Sequence, residues 1–297
     1  MWGSIFTAIT IFFCIFTYLF YTEFSSYAAA QKSFQKLKVK VSQLRRDFPG
    51  ECSFIIRNAK KPFLEISYRQ DEAFPAASLI KLPIAAVACK AIKEKKVGLW
   101  QVFTINAKDI TVGSGIIKTM RTPVRLSFKK IMELMIAQSD NTATNKIIDI
   151  LGYDYLNKGF SELGLKNTRL TRKMMDFSKR RKGIENYTCA SDIAYLLERI
   201  YNKTLIDKKS SRIILTFLLK QKMRDRIPRY LPRSVDVAHK TGLEKGVVHD
   251  AGIIFSSKSD CLVCVLTKRV KKYSKAKKFI ANLSLLTYNN LCMDDSD

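Results

Sequence analysis

The chain has few histidines and a shortage of acidic residues. It contains two histidines, and its 26 Asp and Glu residues face 52 Lys and Arg residues, which gives a net charge of +26. A Ser-His-Asp triad needs a histidine base beside its serine. Because lysine is abundant and can also supply a base, we interpret His239 and His249 as structural or pocket-edge residues.

Motifs for metals and phosphates are also missing. Cys261 and Cys264 have C-x-x-C spacing but no second ligand pair, and in a strand this offset puts them on opposite faces. Gly113-Ser114-Gly115 is not followed by Gly-Lys-Ser/Thr, so it predicts a turn at the rim of a pocket. We therefore expect no metal and no cofactor. The seven cysteines, with Cys14 in an apolar N-terminal run, are expected to be free thiols, mostly buried.

Three short motifs follow one another along the chain. They supply a serine with a nearby lysine, a second hydroxyl group, and a lysine close to a glycine: Ser78-Leu79-Ile80-Lys81, Ser139-Asp140-Asn141 and Lys240-Thr241-Gly242. The first pattern alone carries little information in a lysine-rich chain. It occurs three more times, in polar and basic stretches, at Ser33–Lys36, Ser127–Lys130 and Ser274–Lys277.

Ser78 differs from the other three serines because an apolar run from Leu79 to Ile92 follows it. This run predicts a buried helix that begins at Ser78, with Lys81 on the same helix face. Burial should lower the pKa of Lys81, so that it can act as a base at neutral pH. The alternative is a serine that only caps the helix, with a lysine that extends to solvent.

The other two motifs decide between these interpretations. Ser139-Asp140-Asn141 joins two predicted helices, where alone it would only cap a helix. Lys240-Thr241-Gly242 ends a strand-like run from Val235 to His239, and glycine beside a strand often marks the close approach of a ligand. In this order and in these contexts, the three motifs predict one catalytic site.

From about residue 48 to residue 291, the chain resembles serine β-lactamases and penicillin-binding proteins, and class A β-lactamases in particular. Neighbouring residues strengthen this resemblance. They are Phe74-Pro75-Ala76-Ala77 before the first motif, Asn141-Thr142-Ala143 at the second, and Leu170 between Arg169 and Arg172. The resemblance implies a β-lactamase/transpeptidase-like fold and an acyl-enzyme mechanism.

The resemblance also implies a role for each motif residue. Ser78 is expected to be the acylated nucleophile, Lys81 its base, and Ser139 the donor of a proton to the leaving nitrogen. We count Lys240 with these catalytic residues. The expected substrate-binding groups are Asn141 for the amide side chain, Lys240 and Thr241 of the motif completed by Gly242 for the carboxylate, and the N–H groups of Ser78 and Leu243 for the oxyanion.

One position departs from the class A pattern. The glutamate that activates water for deacylation is expected two residues after Arg172, where the chain has Met174, and the asparagine expected four residues later is Ser178. Methionine can neither accept a proton nor orient a water molecule in this way. Asp176 and Glu185 lie nearby and could substitute. The sequence therefore supports acylation and predicts slow deacylation.

Strand-like segments lie near both ends of the chain, and the sequence between them is mainly helical. They cover residues 52–57, 63–68, 235–241, 248–255 and 261–267. This arrangement predicts one α+β domain over residues 47–293, with an antiparallel sheet built from both chain ends around a helical insert. The site is expected between the sheet and the insert.

Residues 2–21 carry no charge and are long enough to span a bilayer as a helix. We assign residues 1–24 to an uncleaved transmembrane anchor and residues 25–46 to a basic juxtamembrane linker. A cleaved secretory signal that ends near Ala28-Ala29-Ala30 is the alternative. We expect the catalytic domain in the periplasm or at the cell surface, where wall substrates lie, although lysines after the segment favour the opposite orientation.

The positive charge has two interpretations, attraction to an anionic wall polymer or lipid, or a generally lysine-rich surface. We expect a monomer without a nucleic-acid partner, because no recognition motif is present. The leading hypothesis is a membrane-anchored serine acyl-transfer hydrolase that acts on β-lactams or related cell-wall amides. The alternatives are a D,D-peptidase or esterase of the penicillin-binding family, and a penicillin-sensing or wall-binding module that stays acylated.

Overall fold

The protein has a five-stranded antiparallel sheet whose strands come from the N-terminal and C-terminal parts of the chain. The structure is a computed structural model that describes residues 33–292. The strands are β1 (Glu51–Asn58), β2 (Glu65–Tyr68), β3 (Phe74–Pro75), β4 (Val102–Ile105), β5 (Val124–Ser127), β6 (Tyr187–Thr188), β7 (Val237–Glu244), β8 (Val247–Ile254) and β9 (Cys261–Lys268). The main sheet has the order β2-β1-β9-β8-β7, and the other strands form two short ribbons. The predicted antiparallel sheet is confirmed, and β7 lies at its edge.

The chain between the two halves of this sheet is mainly helical, as the sequence predicts. The helices are α1 (residues 33–46), α2 (Lys81–Lys93), α3 (Phe128–Ala137), α4 (Asn141–Leu151), α5 (Tyr153–Glu162), α6 (Phe177–Arg181), α7 (Ala190–Tyr201), α8 (Lys208–Leu219) and α9 (Tyr273–Thr287). Helix α2 is apolar on nearly all sides, and the surrounding helices α3, α4, α5, α7 and α8 bury it.

The sheet separates two apolar cores. Ile55 of β1 packs with the helical insert, whereas its neighbours Phe54 and Ile56 face the other core, which includes α1 and α9. This alternation follows from the opposite directions of successive side chains in a strand. The insert is therefore fixed to one face of the sheet, and the edge strand β7 lies beside it.

Residues 33–46 form a helix, although the sequence predicts a linker over residues 25–46. Phe34, Leu37 and Val41 are buried against the sheet, at the spacing of an amphipathic helix. The lysines between them obscured this short apolar stripe. The predicted anchor, residues 1–24, lies outside the described residues. Within residues 33–292, no helix has both the length and the hydropathy needed to cross a bilayer.

Cys261 and Cys264 face opposite cores, as the strand alternation predicts. The expectation of free thiols is wrong for Cys261, because it forms a disulfide with Cys292, with the Cα atoms 5.9 Å apart. Cys292 follows α9, so the local C-x-x-C spacing could not reveal the pairing. The free cysteines are buried: Cys52, Cys89, Cys189 and Cys264. Cys14 lies outside the described residues.

Candidate active site

Ser78 lies in a 3₁₀ turn, Ala77–Ile80, that leads directly into α2. Residues three apart in such a turn eclipse each other, so Ser78 and Lys81 project from the same face. Ala77 has a φ of +43°, and a positive φ at a non-glycine residue costs on the order of 1–3 kcal/mol. The predicted helix therefore begins one turn later than Ser78, after a strained turn that presents the serine.

Lys81 is fully buried beside acceptors from the second motif. Its Nζ donates to the Ser139 carbonyl at 2.6 Å, to Asn141 Oδ1 at 2.8 Å and to Ser139 Oγ at 3.1 Å. Burial and the positive charge of Lys240 hold the pKa of Lys81 well below its ordinary value, while Asp140 acts to raise it. Lys81 is therefore suited to give up its proton and to act as a base.

The Ser139 hydroxyl connects the two motif lysines. Its Oγ lies 3.1 Å from Lys81 Nζ and 2.9 Å from Lys240 Nζ. Ser139 has a φ of +52° and precedes Asp140, which accepts the Ala143 N–H at 2.9 Å as the cap of α4. A hydroxyl in contact with both lysines can pass a proton between them or to a group in the cleft.

Lys240 is also fully buried, in the edge strand β7. Besides Ser139, it donates to the carbonyl of Thr241 at 2.9 Å. Burial lowers the pKa of Lys240 to about 7, with Asp250 acting to raise it and Arg226 to lower it. Lys240 is therefore partly protonated near neutral pH, and an anion bound beside it would favour its charged form.

Both ends of the Asn141 side chain are occupied within the protein. Oδ1 accepts from Lys81, and Nδ2 donates to the Val112 carbonyl at 3.0 Å. The side chain thus joins Lys81 to the Gly113-Ser114-Gly115 turn, where Gly113 has a φ of +89° and Ser114 lines the cleft. The predicted role of Asn141 in binding a substrate amide stays a prediction.

The third motif lies on the edge of the sheet. Because β7 has a neighbour on one side only, part of its backbone polar groups face away from β8. Thr241 and Leu243 line the cleft, whereas Gly242 packs on His249. A Cβ atom added to Gly242 would lie 3.1 Å from the Cβ atom of His249. Leu243 is 49% exposed at the rim. Strand alternation therefore puts Thr241 and Leu243 on the cleft and Gly242 behind them.

These motifs surround a cleft of about 180 Å³, which Ser78 and Ser139 both line. The cleft also contains Arg226, which the sequence analysis did not single out. Arg226 is 1% exposed, its ion pair with Asp225 spans 3.7 Å, and its Nε has no hydrogen-bond partner within the described structure. This buried guanidinium adds positive charge to a cleft that is thereby suited to anionic ligands. Neighbouring arginines made it indistinct in the sequence.

The loop from Arg169 to Tyr187 carries the position of the missing glutamate. Its two ends pair through mutual backbone hydrogen bonds of 2.9 and 3.0 Å. The Met174 backbone is held by the Asn145 side chain, with N–H to Oδ1 at 2.8 Å and Nδ2 to the carbonyl at 3.2 Å. The Met174 side chain packs against the helical core. The loop is well anchored, but a thioether occupies the critical position.

The two nearby carboxylates have other partners. Asp176 caps α6 by accepting a backbone N–H at 3.0 Å. Glu185 accepts from Arg172 Nε at 2.9 Å. Among residues 33–292, neither carboxylate forms a hydrogen bond with Lys81. The contacts of Asp176 and Glu185 therefore do not place either of them where the missing glutamate is expected.

Both histidines have structural partners. His239 Nδ1 lies 2.9 Å from Asp250 Oδ1, and both residues are buried. His249 Nε2 lies 2.8 Å from the carbonyl of Pro75 and donates to it. Burial lowers the pKa of His249 to about 4, so its ring is neutral at physiological pH. Neither ring forms a hydrogen bond with Ser78 in the described part of the chain.

The sequence matches the model of the β-lactamase enzyme family over residues 36–291. The chain belongs to the β-lactamase enzyme family. It is 24% identical to a β-lactamase of Phocaeicola vulgatus, over 95% of this chain and 93% of that protein. The predicted recognition of a serine β-lactamase-like hydrolase is thus confirmed.

Solved structures agree with this assignment. A β-lactamase from Sphaerobacter thermophilus DSM 20745 is similar with a TM-score of 0.77 and 25% identity, over 86% of this chain and 97% of that one. A mutant of PBP-A in an acyl-enzyme complex with penicillin G has a TM-score of 0.77 and 28% identity, over 86% and 96%. The α+β β-lactamase/transpeptidase-like fold is therefore confirmed, and the roles of individual residues stay predictions.

Proposed function

We propose that this β-lactamase-family hydrolase forms an acyl-enzyme at Ser78 with β-lactams or related cell-wall amides and releases the acyl group slowly. One observation carries the proposal for acylation. A hydrogen-bonded series runs from Lys81 through Ser139 to Lys240, beside the cleft that Ser78 lines. Such a series can both remove a proton from the nucleophile and supply one to the leaving group.

In the proposed acylation, Ser78 Oγ attacks the substrate carbonyl while Lys81 accepts its proton. The resulting oxyanion is stabilised by the backbone N–H groups of Ser78 and Leu243. When the C–N bond breaks, Ser139 donates its proton to the departing nitrogen and regains one from a neighbouring lysine. The positive charges of Lys240 and Arg226 orient the substrate carboxylate, because both side chains are buried beside the cleft.

The proposal of slow release rests on the loop around Met174. Hydrolysis of the ester at Ser78 requires a base that activates water, and such assistance is typically worth roughly 10²–10⁴-fold in rate. Met174 offers no base, and Asp176 and Glu185 are held by other groups. Deacylation is therefore the slow half of the reaction.

The same loop favours a second candidate, a penicillin-sensing module that stays acylated. Turnover of a chromogenic cephalosporin, measured beside cleavage of a peptide that ends in D-Ala-D-Ala, separates the candidates. Slow but repeated cephalosporin turnover supports the β-lactamase, and faster peptide cleavage supports a D,D-peptidase. One turnover followed by a stable adduct supports the sensor. Failure of any acylation would contradict all three.

We further propose that residues 1–24 anchor the protein and that the catalytic domain lies outside the cytoplasm. The disulfide between Cys261 and Cys292 supports this location, because such bonds persist mainly in oxidising compartments. Protease added to intact spheroplasts should digest the domain and leave a short N-terminal fragment in the membrane. Complete protection until lysis would contradict the proposal.

A further inference from the structure

Helices α3 and α8 pack side by side, and their C-terminal ends meet at the catalytic cleft. Gln138 follows α3, and Gln221 and Lys222 follow α8. All three line both the cleft and a second hollow of about 360 Å³ between the helices. The surface between α3 and α8 is therefore continuous with the cleft that contains Ser78.

A third hollow, of about 460 Å³, lies beside the N-terminal ends of the same two helices. Four cationic side chains line it: Lys129, Lys208, Lys209 and Arg212. None of the four forms an ion pair with another residue in the part of the chain that the structure describes. The adjacent carboxylate of Asp207 instead accepts a backbone N–H of α8 at 2.7 Å. This hollow is therefore a concave cluster of four positive charges, none of which is neutralised by an ion pair among residues 33–292.

The third hollow follows the second along the same two helices, because Lys129 of the third hollow adjoins Lys130 of the second. We name the cleft end and these two hollows the α3–α8 track. Helix α8 has 12 residues, so the track extends about 18 Å from the cleft. Glu133 lies midway and is flanked by Lys220 at 2.7 Å and Lys130 at 3.5 Å, which neutralise its charge. The track is therefore cationic along its length. The exposed ring of Trp100 lies at the far end of the track. Trp100 is 67% exposed, and its ring centroid lies 4.6 Å from Lys129 Nζ.

We propose that the α3–α8 track binds an extended acidic peptide whose reacting amide lies at Ser78, an inference that rests on the proposed function. A peptide supplies an amide for acyl transfer and carboxylates spaced along the same chain. Lys222 near the cleft and the four distant cations can contact such carboxylates. A flat anionic bilayer fits less well, because the cations line hollows between two helices.

Binding can be tested apart from catalysis in the full-length Ser78→Ala variant. The probe is a fluorescein-labelled oligoglutamate of about ten residues, long enough to extend over the track at roughly 3.3 Å per residue. The track variant combines Lys208→Ala, Lys209→Ala and Arg212→Ala. The charge-matched control combines Lys271→Ala, Lys275→Ala and Lys278→Ala, three exposed lysines near α9 on the other side of the sheet.

We expect fluorescence anisotropy to show roughly tenfold weaker binding for the track variant, because exposed ion pairs each contribute modestly. The control variant should bind like the parent. Equal weakening in both variants, or none in either, would overturn the proposal. Polyphosphate or anionic vesicles that bind more tightly than the peptide, with the same dependence on the track cations, would also overturn the assignment to a peptide.

The connection to the cleft has its own test in the protein with Ser78 intact. Oligoglutamate should slow acylation by a chromogenic cephalosporin, and triglutamate at the same carboxylate concentration should not. The track variant should acylate normally without peptide and lose this inhibition. Peptide binding without inhibition would show that the track does not lead to Ser78. Absence of acylation in all proteins would contradict the proposed function, while the anisotropy result would still decide whether the track binds the peptide.

Discussion

The surroundings of Ser78 and the loop around Met174 are both held by several hydrogen bonds, but they carry different functional groups. Near Ser78, Lys81 and Lys240 are both buried and both contact one hydroxyl. On the loop, the position expected to hold a base carries a thioether, and the nearby carboxylates have other partners. Acylation and deacylation are separate half-reactions that need separate groups, and our proposal of slow deacylation rests on this difference between the two regions.

The loop is nevertheless firmly held. Arg172 is buried and lies 2.7 Å from both Glu185 and Glu244, which ties the loop to the end of β7. Burial and the charge of Glu244 raise the pKa of Glu185, and Arg172 acts to lower it. The loop is thus held in place by its own contacts, and it carries Met174 at the position where the class A pattern has a glutamate.

The largest effect is expected from Ser78→Ala, which removes the proposed nucleophile. Intact-mass analysis after incubation with a penicillin should show one adduct on the parent protein and none on the variant. Ser127→Ala is the matched control, because Ser127 begins another S-x-x-K pattern but accepts the Lys130 N–H at 3.3 Å as a helix cap. The control should keep its adduct and lose about 1 kcal/mol of stability. An adduct on Ser78→Ala would refute the assignment.

Lys81→Ala should slow acylation by roughly 10²–10⁴-fold, because a general base is lost. Lys90→Ala is the control on the same helix, where Lys90 pairs with Glu162 at 2.8 Å away from the cleft. Rates of adduct formation, followed by quenched mass spectrometry, compare the two variants. Equal rates in Lys81→Ala and the parent protein would move the role of the base to another residue.

Met174→Glu should speed deacylation by up to roughly 10²–10⁴-fold, if the loop holds the new carboxylate near the ester. The amplitude of the initial burst should not change. Met175→Glu is the control, because the Met175 side chain lies against the turn at Gly113 and not against the helical core. A Cβ atom added to Gly113 would lie 3.1 Å from Met175 Sδ. Deacylation in the parent that slows in Asp176→Asn or Glu185→Gln would show that one of these carboxylates already serves as the base.

A smaller effect is expected from pH. Because the pKa of Lys240 is about 7, its positive charge is lost as the pH rises through that value. The kcat/KM for an anionic β-lactam should therefore fall above pH 7 by at most about tenfold per pH unit, mainly because KM rises. Lys240→Arg keeps its charge at high pH and should flatten the profile. An identical fall with a substrate that has no carboxylate would assign the titration to another group.

The sheet and the meeting of the three motifs could be predicted because each depends on a local pattern. Strand-like segments near both ends of the chain marked the sheet, and the contexts of Ser78, Ser139 and Lys240 marked one cleft. Two other features depend on contacts between distant segments. Cys292, which follows α9, pairs with Cys261 of β9, and Arg226 differs from its neighbours by its burial in the cleft.

Local patterns also misled at two places. The apolar residues of helix α1 are separated by lysines, so the burial of Leu37 follows only from the sheet against which it packs. At the second place, the pattern did not reveal the partners of Asn141, whose side chain contacts Lys81 and the Val112 carbonyl, while its role in binding a substrate amide stays a prediction. Both cases show that a residue's partners depend on packing between elements.

Stopped-flow measurement of the parent protein with a chromogenic cephalosporin tests the proposal of an acyl-enzyme that is released slowly. We expect a burst of β-lactam opening equal to the enzyme concentration, followed by a slow steady state. Mass spectrometry during that steady state should show most of the protein acylated at Ser78. Rapid turnover without a burst, with no acylated protein at steady state and no slowing in Asp176→Asn or Glu185→Gln, would contradict it.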